Sequence, residues 1–257
     1  MRNRFPLFKG GRILKKEGLW DIRDYSYGGW QLYYSDYTDG LLKGCRIRAE
    51  DGFLAIGTGM IKFHNFIYLL QEETRVAYEA KEEWVVLKAE FAEDYENPDY
   101  QSYQVSFFLD ENMELGENQI EMCRFYLRQG SKLRDNYKGY YDMVTEYDTI
   151  QLIDATVAGE REPTLHPAVL MQFASEMAQS PEKEPADYAF YYMVLGRNGE
   201  ICRKVIMDYL ADKGRSDRRG MNREFDNRHL YRELENILEN RKQKRGSDLG
   251  GKVIYVD

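Results

Sequence analysis

The sequence predicts an α+β fold: an N-terminal antiparallel β-sandwich or barrel-like domain over residues 1–157, then a small C-terminal helical bundle over 158–257. Three observations predict it. Between residues 42 and 157, short runs of alternating apolar residues recur, divided by glycine, Asn-Pro and Asp/Asn turns, as in sheets with one buried face. From Pro167 onward the apolar spacing lengthens to the 3.6-residue period of helices. Charge divides at the same place: residues 1–155 hold 19 Lys/Arg against 27 Asp/Glu, a balance of −8, and the remainder is neutral.

Residues 1–30 read as an arm lying on a surface, with a short helix somewhere in 13–25. A dense aromatic run, Trp30, Tyr33, Tyr34 and Tyr37, ends at the Asp39-Gly40 turn. Strands are expected over 42–49, 53–56 and 60–70. Asp51-Gly52 signals a type I′ hairpin turn, in which both central residues need positive φ. Gly57 and Gly59 supply a second reversal, and His64 falls within the third strand as a half-buried, hydrogen-bonded side chain. Further strands are expected over 75–78, 83–92, 100–109, 120–127 and 149–157. The acidic stretches 92–99 and 110–118 read as solvated loops.

The helical half follows from the same kind of evidence. Pro167 suits the first turn of a helix over 168–179, because its missing N–H costs nothing there. Helices are expected over 186–195, over 200–211 with Ile201, Val205, Ile206, Tyr209 and Leu210 as its stripe, and over 222–244. A charged loop, 213–220, separates the last two. The segment 252–256 (KVIYV) reads as a β-type tail able to add to a sheet edge.

Composition excludes several classes. With 21 Tyr and 12 Phe the chain carries too much apolar ring surface to remain disordered. Three widely spaced cysteines, Cys45, Cys123 and Cys202, indicate reduced thiols and synthesis in the cytoplasm. No stretch approaches the ~20 apolar residues of a membrane span, and no signal-peptide core opens the chain. His64, His166 and His229 stand apart from one another, with no metal-ligand spacing. No nucleophile elbow, phosphate loop or dinucleotide fingerprint is present. The expectation is therefore a non-enzymatic chain with no catalytic residue, cofactor or metal.

One motif stands out in the helical half. Gly196-Arg197-Asn198-Gly199, followed by Arg203 and Lys204, resembles the Gly-x-x-Gly loop with which KH domains grip nucleic-acid phosphates. Residues 197–245 hold 14 Lys/Arg against 9 Asp/Glu, which adds a basic surrounding. Against this, a KH fold needs strands around the helix pair. A plain helix–turn–helix corner, with Gly196 as the cap and Asn198-Gly199 as the turn, accounts for the same residues. The basic cluster 241–245 complements a helix C-terminus without any ligand.

The opening Arg4-Phe5-Pro6-Leu7-Phe8, the run 34–40 (YSDYTDG), the hairpin 44–52 and the strand 59–70 (GMIKFHNFIYLL) carry a likeness over residues 4–155. That part resembles tail or baseplate-associated structural proteins encoded by prophages of Gram-positive bacteria. The resemblance implies an assembly protein that binds copies of itself or other tail and baseplate proteins, and that is carried in a virion. Its contact residues would be aromatic: Phe5, Phe8, Trp30, Tyr33 and Tyr34, with Tyr255 in the tail.

Overall fold

The computed structural model describes residues 6–11, 13–97, 100–214 and 226–249, with the side chains of 94–97, 100 and 242–249 left aside. The fold is α+β. Among the described residues the strands do not form one sandwich: they make three separate three-stranded antiparallel sheets.

Two of the sheets are small and share one stretch of chain. β1 (Gly40–Gly44), β4 (Gly59–Phe63) and β5 (Phe66–Leu70) form one, in the order β1-β4-β5. β2 (Ile47–Glu50), β3 (Phe53–Ile56) and β6 (Thr74–Ala77) form the other, in the order β2-β3-β6. The expected strand 42–49 is therefore cut in two. Gly44 (φ 71°) and Cys45 (φ 53°) take left-handed backbone in succession and send the chain from the first sheet to the second. The expected strand 60–70 is cut as well, by a two-residue turn at His64 (φ 45°) and Asn65 (φ 64°) that leaves Phe63 paired with Phe66. The type I′ turn thus belongs to His64-Asn65, whose asparagine tolerates this backbone well. At Asp51-Gly52 only Gly52 has positive φ, and Glu50 pairs with Phe53 across it. His64 is consequently an exposed turn residue, not a strand residue.

The third sheet, ordered β8-β7-β9, is the largest: β7 (Trp84–Asn97), β8 (Tyr100–Asp110) and β9 (Gln119–Tyr126). A bulge between Leu87 and Lys88 twists β7 against β9. Beside it Lys88 is buried, its ammonium held by Asp110 Oδ2 at 2.8 Å and by the Glu114 carbonyl at 2.6 Å. A buried cation is tolerable only when so satisfied. The expected strand 149–157 is extended but joins no sheet. It touches β9 at Arg124↔Gln151, turns back at 152–155, and then touches β1 at Leu41↔Val157, so it ladders with neither.

A 3₁₀ turn (Tyr140–Val144) precedes the helical layer. Numbering the 16–33 helix, described below, as α1, this layer comprises α2 (Pro167–Gln179), α3 (Pro185–Gly196), α4 (Arg203–Asp212) and α5 (Asn227–Leu249). The four expected helices are present; the stretch 222–225 and most of the loop 213–220 lie outside the described residues. Val169, Leu170, Phe173 and Met177 of α2 sit in one buried cluster with Phe190 of α3, Tyr209 of α4 and Leu234 of α5. That cluster continues without a break into Leu54, Ile61, Leu87 and Met122 of the sheets. One ionic group locks three helices. Asp187, fully buried, accepts from Tyr209 at 2.8 Å, Lys213 at 2.7 Å and Arg241 at 2.8 Å. Burial pushes its carboxyl up, and the bonds from Lys213, the Glu184 side and Tyr209 outweigh that and hold it below the ordinary range.

Candidate interaction surface

Residues 16–33 form one 18-residue helix, α1 (Lys16–Tyr33), in place of the short helix expected within 13–25. Its apolar residues recur at three-residue steps through Leu19, Ile22 and Tyr25 and again from Trp30 to Tyr33, with a five-residue step between. Gly18, Gly28 and Gly29 dilute that period to the eye. No residue of α1 is buried and no side chain caps its N-terminus. The other end is held firmly. Lys62, itself buried on β4, donates to the carbonyls of Tyr34 at 2.8 Å, Ser35 at 3.2 Å and Tyr37. A cation placed there answers the unpaired carbonyls and negative end of the helix dipole. Next to it the Tyr34 ring meets Tyr33, Trp30 and Tyr37, and residues 36–38 are tied to 159–161 by backbone bonds.

The outer face of α1 and the arm before it enclose a groove of about 800 Å³. Leu7 and Phe8 form one wall; Ile22, Tyr25 and Tyr33 form the other, with Gly29 between them. Lys9 and Asp21 are the charged groups at the rim. Pro6 lies beside Gly18, where a Cβ would meet it at 3.6 Å in ordinary contact. A Cβ on Gly28 or Gly29 would meet nothing within 4 Å, so packing within the chain gives no reason for either glycine.

The aromatic residues singled out from sequence divide as follows. Phe8 is 61 % exposed, Trp30 52 % and Tyr33 70 %, and all three line the groove. Tyr34 is half-buried and belongs to the anchor at the helix end. Phe5 and Tyr255 lie outside the described residues. Sequence reasoning missed Leu7, Ile22 and Tyr25; the helical period would have found the last two had residues 16–33 been read as one helix.

The Gly-x-x-Gly corner has a complete structural account. Gly196 is the last residue of α3, not its cap; Arg197 takes the cap position, and Asn198 carries the left-handed backbone at φ 52°. The Gly199 amide donates to the Val194 carbonyl at 2.8 Å, and Asn198 donates to Leu195 at 3.2 Å, a Schellman ending. Gly199 (φ 81°) packs against the Pro167 backbone so closely that a Cβ would come within 2.3 Å of its carbonyl oxygen. Arg203 bonds Asn227 at 2.8 Å and the Pro163 carbonyl at 3.3 Å, and Lys204 pairs with Asp208 at 3.1 Å. In chain order the corner lies between α3 and α4 with no strand next to either helix among the described residues, so the KH connectivity is not formed.

Other chemistry finds little support in the geometry. Burial pushes the Cys45 thiol up to about 12 and raises Cys123 further, which removes both as thiolates. His166 caps α2, its Nδ1 accepting from the Ala168 amide at 3.1 Å. Among the described residues, no three potential metal ligands gather and no helix is long and apolar enough to cross a membrane.

No family model and no curated protein matches the sequence. Among solved structures, this chain is similar to TssK at 11% identity and a TM-score of 0.37, covering 100% of this chain and 71% of that one. It is similar to a chain of the type VI secretion system TssK–TssF–TssG baseplate subcomplex at 8% identity and a TM-score of 0.41, covering 93% and 100%. A chain of the type VI secretion baseplate complex matches at 10% identity and a TM-score of 0.37, covering 93% and 70%. Likenesses this distant transfer no residue's role to this chain.

Proposed function

We propose that this chain is a non-enzymatic structural protein that docks, through α1 and the arm before it, onto another protein of a tail-like baseplate. One observation carries the reading: an 18-residue helix without a buried residue presents Ile22, Tyr25, Trp30 and Tyr33 to the outside, with Phe8 of the arm beside them. Full burial of each such side chain is worth about 1.5–3 kcal/mol, and a contiguous exposed apolar surface is the mark of a protein contact. The mostly apolar and aromatic lining of the groove, with Lys9 and Asp21 as its charged groups, suits a partner that inserts aliphatic or aromatic side chains. The prophage and Gram-positive setting, and carriage in a virion, belong to this proposal through the resemblance of residues 4–155. Within it, residues 1–157 are the attachment unit and 158–257 a second unit resting on it.

The test is co-expression with the tail proteins encoded beside this chain, followed by the mass of the purified species at low and high salt. A salt-resistant complex, lost in the Phe8→Asp/Tyr33→Asp variant, is the expected result. Equal assembly by that variant would overturn the reading. So would a chain that stays alone and takes up mixed RNA only at low salt, the behaviour of phosphate binding.

A further inference from the structure

A second groove, of about 570 Å³, lies on the other flank of α1. It follows the edge of β5, since residues 66–69 line it in unbroken succession; Tyr103 and Val105 of β8 and Tyr27 of α1 close it. β5 is the last strand of its sheet. The Phe63–Phe66 pair flanks a two-residue turn and is therefore a hydrogen-bonded pair, as are Ile61–Tyr68 and Gly59–Leu70 by alternation. That leaves the N–H and C=O groups of Ile67 and Leu69 directed to the free edge. The register with β4 runs through all five pairs without a bulge, and the strand carries no proline, lysine or other charge. These are the devices that ordinarily protect an edge from further pairing. Leu69 stands 61 % exposed beside it.

We propose that this edge takes up residues 252–256 of a second copy of the chain as an added strand. The segment, KVIYV, is as long as β5 and alternates Val253 and Tyr255 with Ile254 and Val256, which gives the groove one apolar face to receive. Charge agrees. The sequence brings Lys242, Lys244, Arg245 and Lys252 with the segment; on the groove side, exposed Glu72 follows the lining residue Gln71, and exposed Glu93 accepts from the lining residue Gln101. A second copy supplies it because α5 packs on α2 and α4 and is fixed at Arg241 to the start of α3, whereas α1, β5 and β8 build the groove. Only Gly250 and Gly251 lie between α5 and the segment, a reach of at most about 7 Å. This contact shares Ser26 and Trp30 of α1 with the first groove but leaves Phe8 and Tyr33 free, so the variants below separate it from the docking proposed above.

The test mixes a Leu69→Cys chain with an Ile254→Cys chain under oxidised glutathione, beside the double variant alone. An interchain disulfide between the two different chains is expected, lost when Tyr255→Asp is added or when the free peptide GGKVIYVD is in excess. The unmodified chain is expected at twice the mass of its Tyr255→Asp variant by light scattering, while Phe8→Asp leaves that mass unchanged. Closure of the disulfide within the double variant at single-chain mass would overturn the proposal, since the strand would then come from the same chain. No disulfide in either sample, or a mass unaffected by Tyr255→Asp, would overturn it as well.

Discussion

Helices α1 and α2 are built on opposite plans. α2 spans 13 residues, begins with a capped turn at His166 and Pro167, and buries Val169, Leu170, Phe173, Ala174 and Met177. α1 is longer at 18 residues, has no capping side chain, contains three glycines and buries nothing. Helical stability comes mainly from packing an apolar face, so α2 finds its partner inside the chain. The apolar face of α1 is as well formed but is left at the surface, fastened by one end through Lys62. The difference separates what the chain needs in order to fold from what, under the proposed function, it keeps for contact.

Substitution should expose that separation, and Phe173→Ala should have the largest effect. It removes a ring packed edge-on to Tyr140, Phe190 and Tyr209 and should cost about 3–5 kcal/mol in denaturant unfolding. Tyr33→Ala should stay within about 0.5 kcal/mol in the same measurement. Equal losses would break the comparison. Lys62→Met should come next, because three carbonyls lose their donor, a loss of about 1–3 kcal/mol. Limited proteolysis should then cut first within 16–33; an unchanged cleavage pattern would mean that α1 is held by something else.

Acid should loosen α2 by a smaller amount. Burial lowers His166 from 6.5 to about 4, and its Nδ1 must be unprotonated to accept from Ala168. With the folded value depressed, this contribution is complete above pH 6.5 and is lost as pH falls towards 4. His166→Asn, a cap that does not titrate, should remove that part of the pH dependence between pH 6.5 and 4. Superimposable pH curves for the two proteins would refute the cap. The smallest changes sharpen the comparison most. Gly28→Ala and Gly29→Ala should each stabilise α1 by about 0.5–1 kcal/mol, read as added helicity. Gly29 lines the groove and Gly28 does not, so only Gly29→Ala should also weaken docking.

Much of the fold was legible because its signals are local. Pro167 before an apolar stripe predicted α2, and the alternation of Val85, Leu87, Ala89 and Phe91 predicted the core of β7. What escaped depends on backbone at single residues. Nothing in the alternating run 42–49 announces that Cys45 adopts positive φ, and only two short turn residues break 60–70. α1 was under-read because its glycines interrupt a period that its neighbours keep. The candidate surface was half legible: the rings of Phe8, Trp30 and Tyr33 could be named from sequence, but their gathering on one helix flank could not. Tyr34 differs from these three: it is half-buried, and its ring packs against the helix end that Lys62 holds.

The central claim, that α1 is completed by another protein, is tested most directly by amide hydrogen exchange on the chain alone and in complex with its co-expressed tail proteins. With no buried residue, α1 should exchange far faster than α2 in the isolated chain, and its amides from 19 to 33 should become strongly protected in the complex while those of α2 stay unchanged. Equal exchange of α1 in the two states would contradict the account.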